Sequence, residues 1–459
     1  MHQLVVKFGG SSVSSIETWE NIALIIKNHI KNGKQPIIVC SAIKNISNKL
    51  EKATTLAING KYYQNIETEI KFRHTQLTHS LKLPSKIIAL DLKKLKKLLK
   101  NIFLIKKNSA KIKAQILSLG EFMITRIGCA FLKKKGINCI WYDIRKALIS
   151  TPIPGKNTKN YLSAYYKIQK NKVLKKQFIN SGAESIITQG FIASNPNGDT
   201  VLLGRNSSDT SATLLSSILK VNYCEIWKDV PGLFTINPNI FPYAKLLNNL
   251  NYNETQKIIS IGNNILHPNC IFPVKKYNIP IIIRNIYKPQ HIGTYISKKT
   301  CSKILPIKSI QIQDHINVIK IHTQKNIKSI LNIISIINLY KFKIKSLFYL
   351  EPNTILYLKN KFKNNQKKHH LNYFLNKIKK IEKIQLIKDC SIITIIGNNI
   401  NYLFYQINSI IMNIFNSKKI KTIYLNPEKI YFNFVIKKKL NSKYLYKILH
   451  NKLIENIKI

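Results

Sequence analysis

The segment Val5-Val-Lys-Phe-Gly-Gly-Ser-Ser12 holds residues whose types and order suit phosphate chemistry. An apolar run ends in Lys7 and Phe8, two glycines follow, and the Ser14-Ser15 pair opens a stretch with apolar residues at helical spacing from Ile16 to Ile30. Glycine lets backbone N–H groups approach phosphate oxygens, a helix N-terminus adds partial positive charge, and the Lys7 ammonium supplies a full one. The same strand, turn and helix also form ordinary corners with no ligand. The spacing is not GxxxxGK[ST], so the P-loop arrangement does not apply.

Composition decides which other residues carry information. The chain has 459 residues, 74 Lys and Arg against 20 Asp and Glu, and a formal net charge of +54. Only five of those cations are arginine (Arg73, Arg126, Arg145, Arg205, Arg284), and lysine is spread along the whole chain among abundant Ile and Asn. Nucleic-acid readers cluster arginine and interleave aromatics, so the charge is read as compositional drift and no nucleic-acid partner is expected. Each acid and each arginine is correspondingly informative. The seven cysteines are widely separated and never form CxxC, which predicts free thiols in a reducing compartment and no zinc site. The chain opens directly on a strand-like run, so no export signal and a cytoplasmic location are expected. The uncharged stretch Ser391–Ser417 is long enough to span a bilayer, but Gly397, Asn398, Asn399, Asn401, Gln406 and Asn408 interrupt it. Strand, turn and helix are predicted there, and no membrane partner.

The elements that must position these residues alternate. Strands are predicted at Val5-Val6, Ile37–Val39, Cys139–Tyr142, Ser185–Thr188, Glu225–Trp227 and Pro280–Ile283, with helix-period segments between them. This pattern implies an α/β layer structure on a mainly parallel sheet. Lys93–Lys107 reads as a solvated helix with its Leu stripe in the core. Beyond about residue 300 only six acids remain, and two units of similar order appear, Ile316–Leu358 and Ile392–Ile436, each strand, helix, strand, strand. A duplicated α+β module is predicted.

The segment Lys7-Phe-Gly-Gly10-Ser-Ser-Val13 resembles the opening signature of the aspartate kinases. Four later blocks follow in that family's order: Ser118–Met123; Ile187–Ile192 with Leu203-Gly-Arg-Asn-Ser-Ser-Asp209; Ile226–Gly232; and Leu266-His-Pro268. Trp141–Arg145 and Asp229–Gly232 look most like the monofunctional lysine-sensitive branch, and no Rossmann GxGxxG points to a following homoserine dehydrogenase. The resemblance implies an amino-acid-kinase fold over residues 1–297 and two ACT-like modules over 310–388 and 389–459, through which the chain would form a homodimer. It also implies phosphoryl transfer from ATP with Mg2+ to the side-chain carboxylate of L-aspartate, a first step toward lysine, threonine and methionine.

By the same resemblance, Lys7 and Asp209 are the catalytic pair, with Asp209 holding Lys7 in pose. Lys7, Phe8, Gly9, Gly10, Lys228, Asp229, Phe234, Asn239, Asn264 and Ile265 would line the ATP site. Ser41, Ser47, Glu121, Arg205 and Ser208 would bind aspartate, Glu121 at the α-amino group and Arg205 at the α-carboxylate, which a guanidinium grips through two parallel hydrogen bonds. No residue is expected to hold a metal of its own. The chain departs from the family at Lys228 (usually Thr), Phe234 (Tyr), Asn237 and Asn239 (Asp and Arg) and Asn264 (Lys). A non-catalytic aspartate-binding homologue is the second reading that these departures leave. In the first ACT-like module the loop after His322 is shortened, and Phe342-Lys343-Ile344-Lys345 aligns with an effector-binding stretch that ends in an acid.

Overall fold

The computed structural model describes every residue except 1, 108, 169–170, 240, 262–264, 300–305, 323–330, 333, 337–343, 351–352, 360–372, 374, 378–382, 399, 419, 421, 429, 438–441 and 456–459. The described chain divides into two units, one of residues 1–234 and 246–301, the other of residues 235–245 and 302–459.

In unit 1 the apolar runs become the inner strands of a parallel sheet, because side chains buried on both faces suit that setting. β1 (His2–Phe8) pairs in parallel with β2 (Lys34–Cys40) on one side and with β7 (Cys224–Lys228) on the other. The sheet continues outward through β4 (Ser185–Gln189) to β3 (Cys139–Tyr142), and on the far side through β9 (Ile281–Asn285) and β10 (Thr294–Ser297) to β8 (Asn249–Asn251). Only the β9–β10 pairing is antiparallel. A small hairpin joins β5 (Ile192–Ser194) to β6 (Thr200–Leu202). Each strand predicted from sequence is present.

Helices cover this sheet. α1 (Ile16–Lys31) starts at a reciprocal cap, in which the Thr18 N–H donates to Ser15 Oγ and the Ser15 N–H to Thr18 Oγ1, both at 3.3 Å. α2 (Ile46–Ile58), α3 (Gln64–Ser80), α4 (Ala89–Ile105) and α5 (Ala110–Lys134) follow. α4 buries Leu95, Leu99 and Ile102 and leaves its lysines outside, as the Leu stripe predicted. α5 is long and apolar enough to cross a membrane, but most of that stretch lies inside the fold, as in the core helix of a soluble domain. Its Gly120 is required by close packing, since a Cβ there would come 2.8 Å from the Ala42 methyl. The short α6 (Asn157–Leu162) and α7 (Lys172–Asn180) precede α8 (Ser208–Leu219), every residue of which is buried. α9 (Tyr252–Ile261) and α10 (Ile271–Tyr277) complete the unit.

Unit 2 is built on one antiparallel six-stranded sheet. Its order is β12 (Ile344–Leu350), β13 (Asn353–Lys359), β11 (Ile307–His322), β14 (Ile384–Gly397), β16 (Tyr431–Lys437), β15 (Thr422–Glu428). The two long strands β11 and β14 pair at its centre with register shifts, so the two strand sets expected from sequence share one sheet. α11 (Phe404–Ser417) and α12 (Ser442–His450) pack Ile407, Ile411, Phe415, Leu445 and Leu449 against Ile393, Ile395, Phe432 and Phe434. The stretch weighed as a membrane span is therefore the end of β14, a turn and α11. The helix expected between β11 and β12 is described only at 331–332 and 334–336. The loop after His322 and positions 342–343 of the effector stretch lie outside the described residues.

Residues 235–245 belong to unit 2. The Thr235 carbonyl accepts the Ile310 N–H at 2.9 Å and the Ser309 hydroxyl at 2.8 Å, and Thr235 Oγ1 lies 2.9 Å from His450 Nε2. Sequence gave no sign of this, because the partners come from the far end of the chain.

Candidate active site

The carboxyl ends of parallel strands collect ligands in open α/β sheets, and the residues predicted for phosphate meet there. β1 and β7 run side by side with Lys7 opposite Ile226, so Lys228 lies on the same sheet face as Lys7 and nearer the strand ends. Both point at Asp209, in the first turn of α8. Lys7 Nζ is 2.6 Å from Asp209 Oδ1, and Lys228 Nζ is 3.1 and 3.0 Å from the two carboxylate oxygens. The His267 N–H is a third donor to the carboxylate, 3.3 Å from Oδ2, which gives the Leu266-His-Pro268 block a physical reason. Burial alone would raise the Asp209 pKa, but the Lys228 and Lys7 charges outweigh it and hold the carboxyl well below its usual range. Lys7 is only 3% exposed, and burial lowers its pKa to about 8 against the pull of Asp209, with Lys228 pushing the same way as burial.

The glycine turn wraps this group. The Gly9 N–H donates to the Trp227 carbonyl at 3.3 Å, and the Phe8 ring stacks on Trp227 with centroids 6.3 Å apart. Gly10 admits no side chain, because a Cβ would come 2.8 Å from the Ala42 carbonyl oxygen. The loop after β2 laces the turn in place: the Ser41 N–H donates to the Phe8 carbonyl and the Lys44 N–H to the Gly10 carbonyl, each at 3.2 Å.

That same loop reaches Glu121. The Ala42 N–H donates to Glu121 Oε1 at 3.2 Å, while Oε2 is buried without a hydrogen-bond partner among the described residues. Glu121 is 2% exposed, and burial raises its pKa from 4.5 to about 8, the Ala42 N–H offsetting only part of the effect. Ala42 thus touches the phosphate turn with its carbonyl and the buried acid with its N–H.

A model of the amino acid kinase family matches residues 3–285. The chain belongs to the amino acid kinase family. It is similar to the bifunctional aspartokinase/homoserine dehydrogenase of Buchnera aphidicola, 31% identical over 99% of this chain and 57% of that protein. The chain therefore spans little more than half of that relative's length. It is also similar to the chloroplastic aspartokinase 3 of Arabidopsis thaliana, 28% identical over 86% of this chain and 71% of that protein. Among solved structures, E. coli aspartokinase III in complex with aspartate and ADP shares the fold with a TM-score of 0.76 at 19% identity, covering 98% of this chain and 99% of that one.

The remaining candidates are placed unevenly on this amino acid kinase scaffold. Ser41 is half-buried in the loop after β2, Ser47 is half-buried in the first turn of α2, and Ser208 is buried at the start of α8. Arg205 is 65% exposed and pairs with Glu51, and its guanidinium also donates to Asn48 Oδ1 at 3.3 Å. Glu51 in turn holds Lys113 at 2.8 Å. Asp229 is exposed just after β7, Ile265 is half-buried before His267, and Phe234 bridges to Leu246. Asn239 is part of unit 2, its N–H donating to Asn237 Oδ1 at 3.1 Å. Asn264 lies outside the described residues.

Sequence reading missed Glu225. Its buried carboxylate accepts from Trp227 Nε1 at 2.9 Å, contacts His29 Nε2 at 3.0 Å and sits 3.6 Å from Arg284 Nε. Glu225 thereby fixes the indole of Trp227, the residue whose main-chain carbonyl holds Gly9. The signal was an acid inside the apolar run Cys224-Glu-Ile-Trp227.

Proposed function

We propose that the chain is an aspartate kinase, transferring the terminal phosphoryl group of MgATP to the side-chain carboxylate of L-aspartate. The observation that carries this reading is a surplus cation and an incompletely bonded buried acid, joined by one loop residue. Asp209 serves two lysines, which leaves a positive charge beside the glycine turn, and Glu121 is a buried acid with an oxygen that lacks a partner. A phosphate chain satisfies the first and an ammonium group the second, and an amino acid accepting a phosphoryl group brings both together.

In this reading Lys7, Phe8, Gly9 and Gly10 form the phosphate cradle, and Asp209 fixes Lys7. Glu121 takes the α-amino group, Arg205 turns from Glu51 to the α-carboxylate, and Ser41, Ser47 and Ser208 complete the acceptor side. Lys228, Asp229, Phe234, Asn239, Asn264 and Ile265 belong to the nucleotide side by resemblance. The acceptor carboxylate has an ordinary pKa near ~3.9 and is already ionised at neutral pH, so no general base is required. The difficulty is to bring two anions together, and positioning plus fixed cations answers it. Mg2+ enters with the nucleotide as part of the substrate. Two ACT-like modules, 310–388 and 389–459, a homodimer formed through them, and a cytoplasmic location complete the proposal.

An ADP-release assay with L-aspartate, L-glutamate, UMP or no acceptor tests it. ADP release that depends on aspartate alone is expected. Release with glutamate or UMP instead would reassign the acceptor, and aspartate binding without any release would favour the non-catalytic reading.

A further inference from the structure

Lys7 and Lys228 share Asp209 but not its surroundings. Lys7 is nearly sealed, at 3% exposure, and holds the carboxylate at 2.6 Å, whereas Lys228 keeps 17% of its side chain exposed and binds at 3.0–3.1 Å. Both flank the same backbone: a Cβ built on Gly9 would lie 3.6 Å from Lys7 Nζ and 3.8 Å from Lys228 Cδ. One carboxylate cannot neutralise two ammonium groups, and an uncompensated cation at a largely buried position is costly unless an anion arrives. The backbone N–H of His267 also donates to Asp209, so the carboxylate is surrounded by donors even without Lys228.

We propose that Lys228 is a second phosphate-binding cation, which leaves Asp209 for the β- and γ-phosphate oxygens of the nucleotide while Lys7 stays fixed to Asp209. The inference rests on the phosphate-cradle reading and adds to it a division of labour between a fixed ammonium and a mobile one. The geometry supports this assignment: Lys228 terminates its strand, reaches solvent, and can swing from one anion to another without breaking the Lys7–Asp209 pair. A phosphate seated between the two lysines also relieves their mutual repulsion, one of the causes that hold the Lys7 pKa near 8, after burial.

The test compares Lys228→Met and Lys228→Arg with the parent chain by isothermal titration of MgATP, MgADP and AMP. Loss of a charge-assisted hydrogen bond corresponds to a roughly ten-fold or greater weakening. Lys228→Met should therefore bind MgATP and MgADP at least ~10-fold more weakly, with AMP changed by less than ~2-fold, and Lys228→Arg should recover most of the affinity. Unchanged MgATP binding in Lys228→Met overturns the proposal. Equal losses for MgATP and AMP also overturn it, because a merely structural lysine would act on both. If Lys228→Met does not fold, Lys228→Gln gives the same comparison. The outcome is separable from the acceptor question: a parent chain that binds MgATP but phosphorylates no aspartate sinks the aspartate kinase reading and leaves Lys228 assigned. An aspartate-active parent with Lys228→Met binding as tightly does the reverse.

Discussion

Unit 1 buries the carboxylates of Asp91, Glu121, Asp209, Glu225 and Glu254, whereas Asp314, Asp389 and Glu455, the described carboxylates of unit 2, all reach solvent. With only 20 acids in the chain, so uneven a distribution asks for a cause. Removing a carboxylate from water costs several kcal/mol unless partners replace the solvent. Asp91 has Arg126 at 3.0 Å, Glu225 has His29 and Trp227, and Glu254 caps α9 by exchanging hydrogen bonds with Asn251, both at 2.8 Å. Those three have partners within the fold. Asp209 has one cation too many and Glu121 has none, and these two stand on either side of the loop at Ala42. The difference between the units is one of charge: unit 1 holds a carboxylate shared by two ammonium groups and a buried acid with an unpartnered oxygen, while the described core of unit 2 is a sheet of Ile and Phe under two helices.

The strongest way to break that contrast is to remove Lys7. Lys7→Ala should lower kcat by about 10²–10³-fold, the range for loss of a preorganised electrostatic group. Aspartate binding should change little, and the fold should persist because Lys228 still pairs with Asp209. Initial rates and a thermal melt check both halves. Wild-type kcat in this variant would remove the phosphate cradle from the mechanism.

Glu121 gives the next largest effect and a pH signature. Its carboxyl, at about 8, holds a proton at pH 7 in the empty site, and the arriving ammonium needs it ionised. Aspartate binding at pH 7 should then release close to one proton, and affinity should rise roughly ten-fold per pH unit below about pH 8. Titration in two buffers of different ionisation enthalpy measures the proton directly. Glu121→Gln should abolish the release and weaken aspartate use by roughly 10–100-fold, as for a lost hydrogen bond to a charged group. Stability should move the other way. The folded pKa lies above the unfolded one, so the native state holds the proton longer and wild-type stability falls as pH rises from about 4.5 to 8. Glu121→Gln should therefore melt higher than wild type at pH 8, with the gap closing toward pH 5. Aspartate binding without proton release would place the ammonium elsewhere.

How much of this was legible depends on the range of the interaction. The glycine turn, the Ser15 cap and the strands declared themselves because their causes are local: apolar runs, cap residues, β-branching. The shared carboxylate was only half legible. Asp209 and Lys228 each had a reason to be noticed, but their contact depends on α8 bringing its first turn back over the ends of β1 and β7. The partner of Arg205 was not legible, since Glu51 is an ordinary helix acid until the fold places it. Residues 235–245 are continuous in sequence with the kinase region, and their hydrogen bonds to Ser309, Ile310 and His450 are visible only in three dimensions.

Arg205 sharpens the comparison inside unit 1, because it is the exposed charge on the acceptor side, where Glu121 is buried. Its guanidinium already accommodates a carboxylate, that of Glu51, so the exchange proposed for substrate replaces one carboxylate with another. Arg205→Lys keeps the charge and loses the planar fork. We expect kcat/KM for aspartate to fall by about ten-fold, less than for Glu121→Gln, because part of the attraction survives and the site is solvated. An unchanged value would leave Arg205 a surface residue paired with Glu51.

The smallest expected effect tests unit 2. Resemblance to the lysine-sensitive branch would make its first ACT-like module a lysine sensor, yet Lys345 stands on β12 where that alignment expects an acid. An effector shifts an equilibrium only by its differential affinity for two states, and replacing an attractive carboxylate with a repulsive ammonium removes much of that difference. Adding lysine to the kinase assay should therefore leave the rate unchanged at concentrations that hold aspartate near its KM. The control is Lys345→Asp, which should restore inhibition if charge at this position is the cause. Inhibition of the wild-type chain by sub-millimolar lysine would show that another acid meets the effector's amino group, and Asp314 on β11, bonded to the Ser391 hydroxyl at 2.6 Å, would be the first to replace.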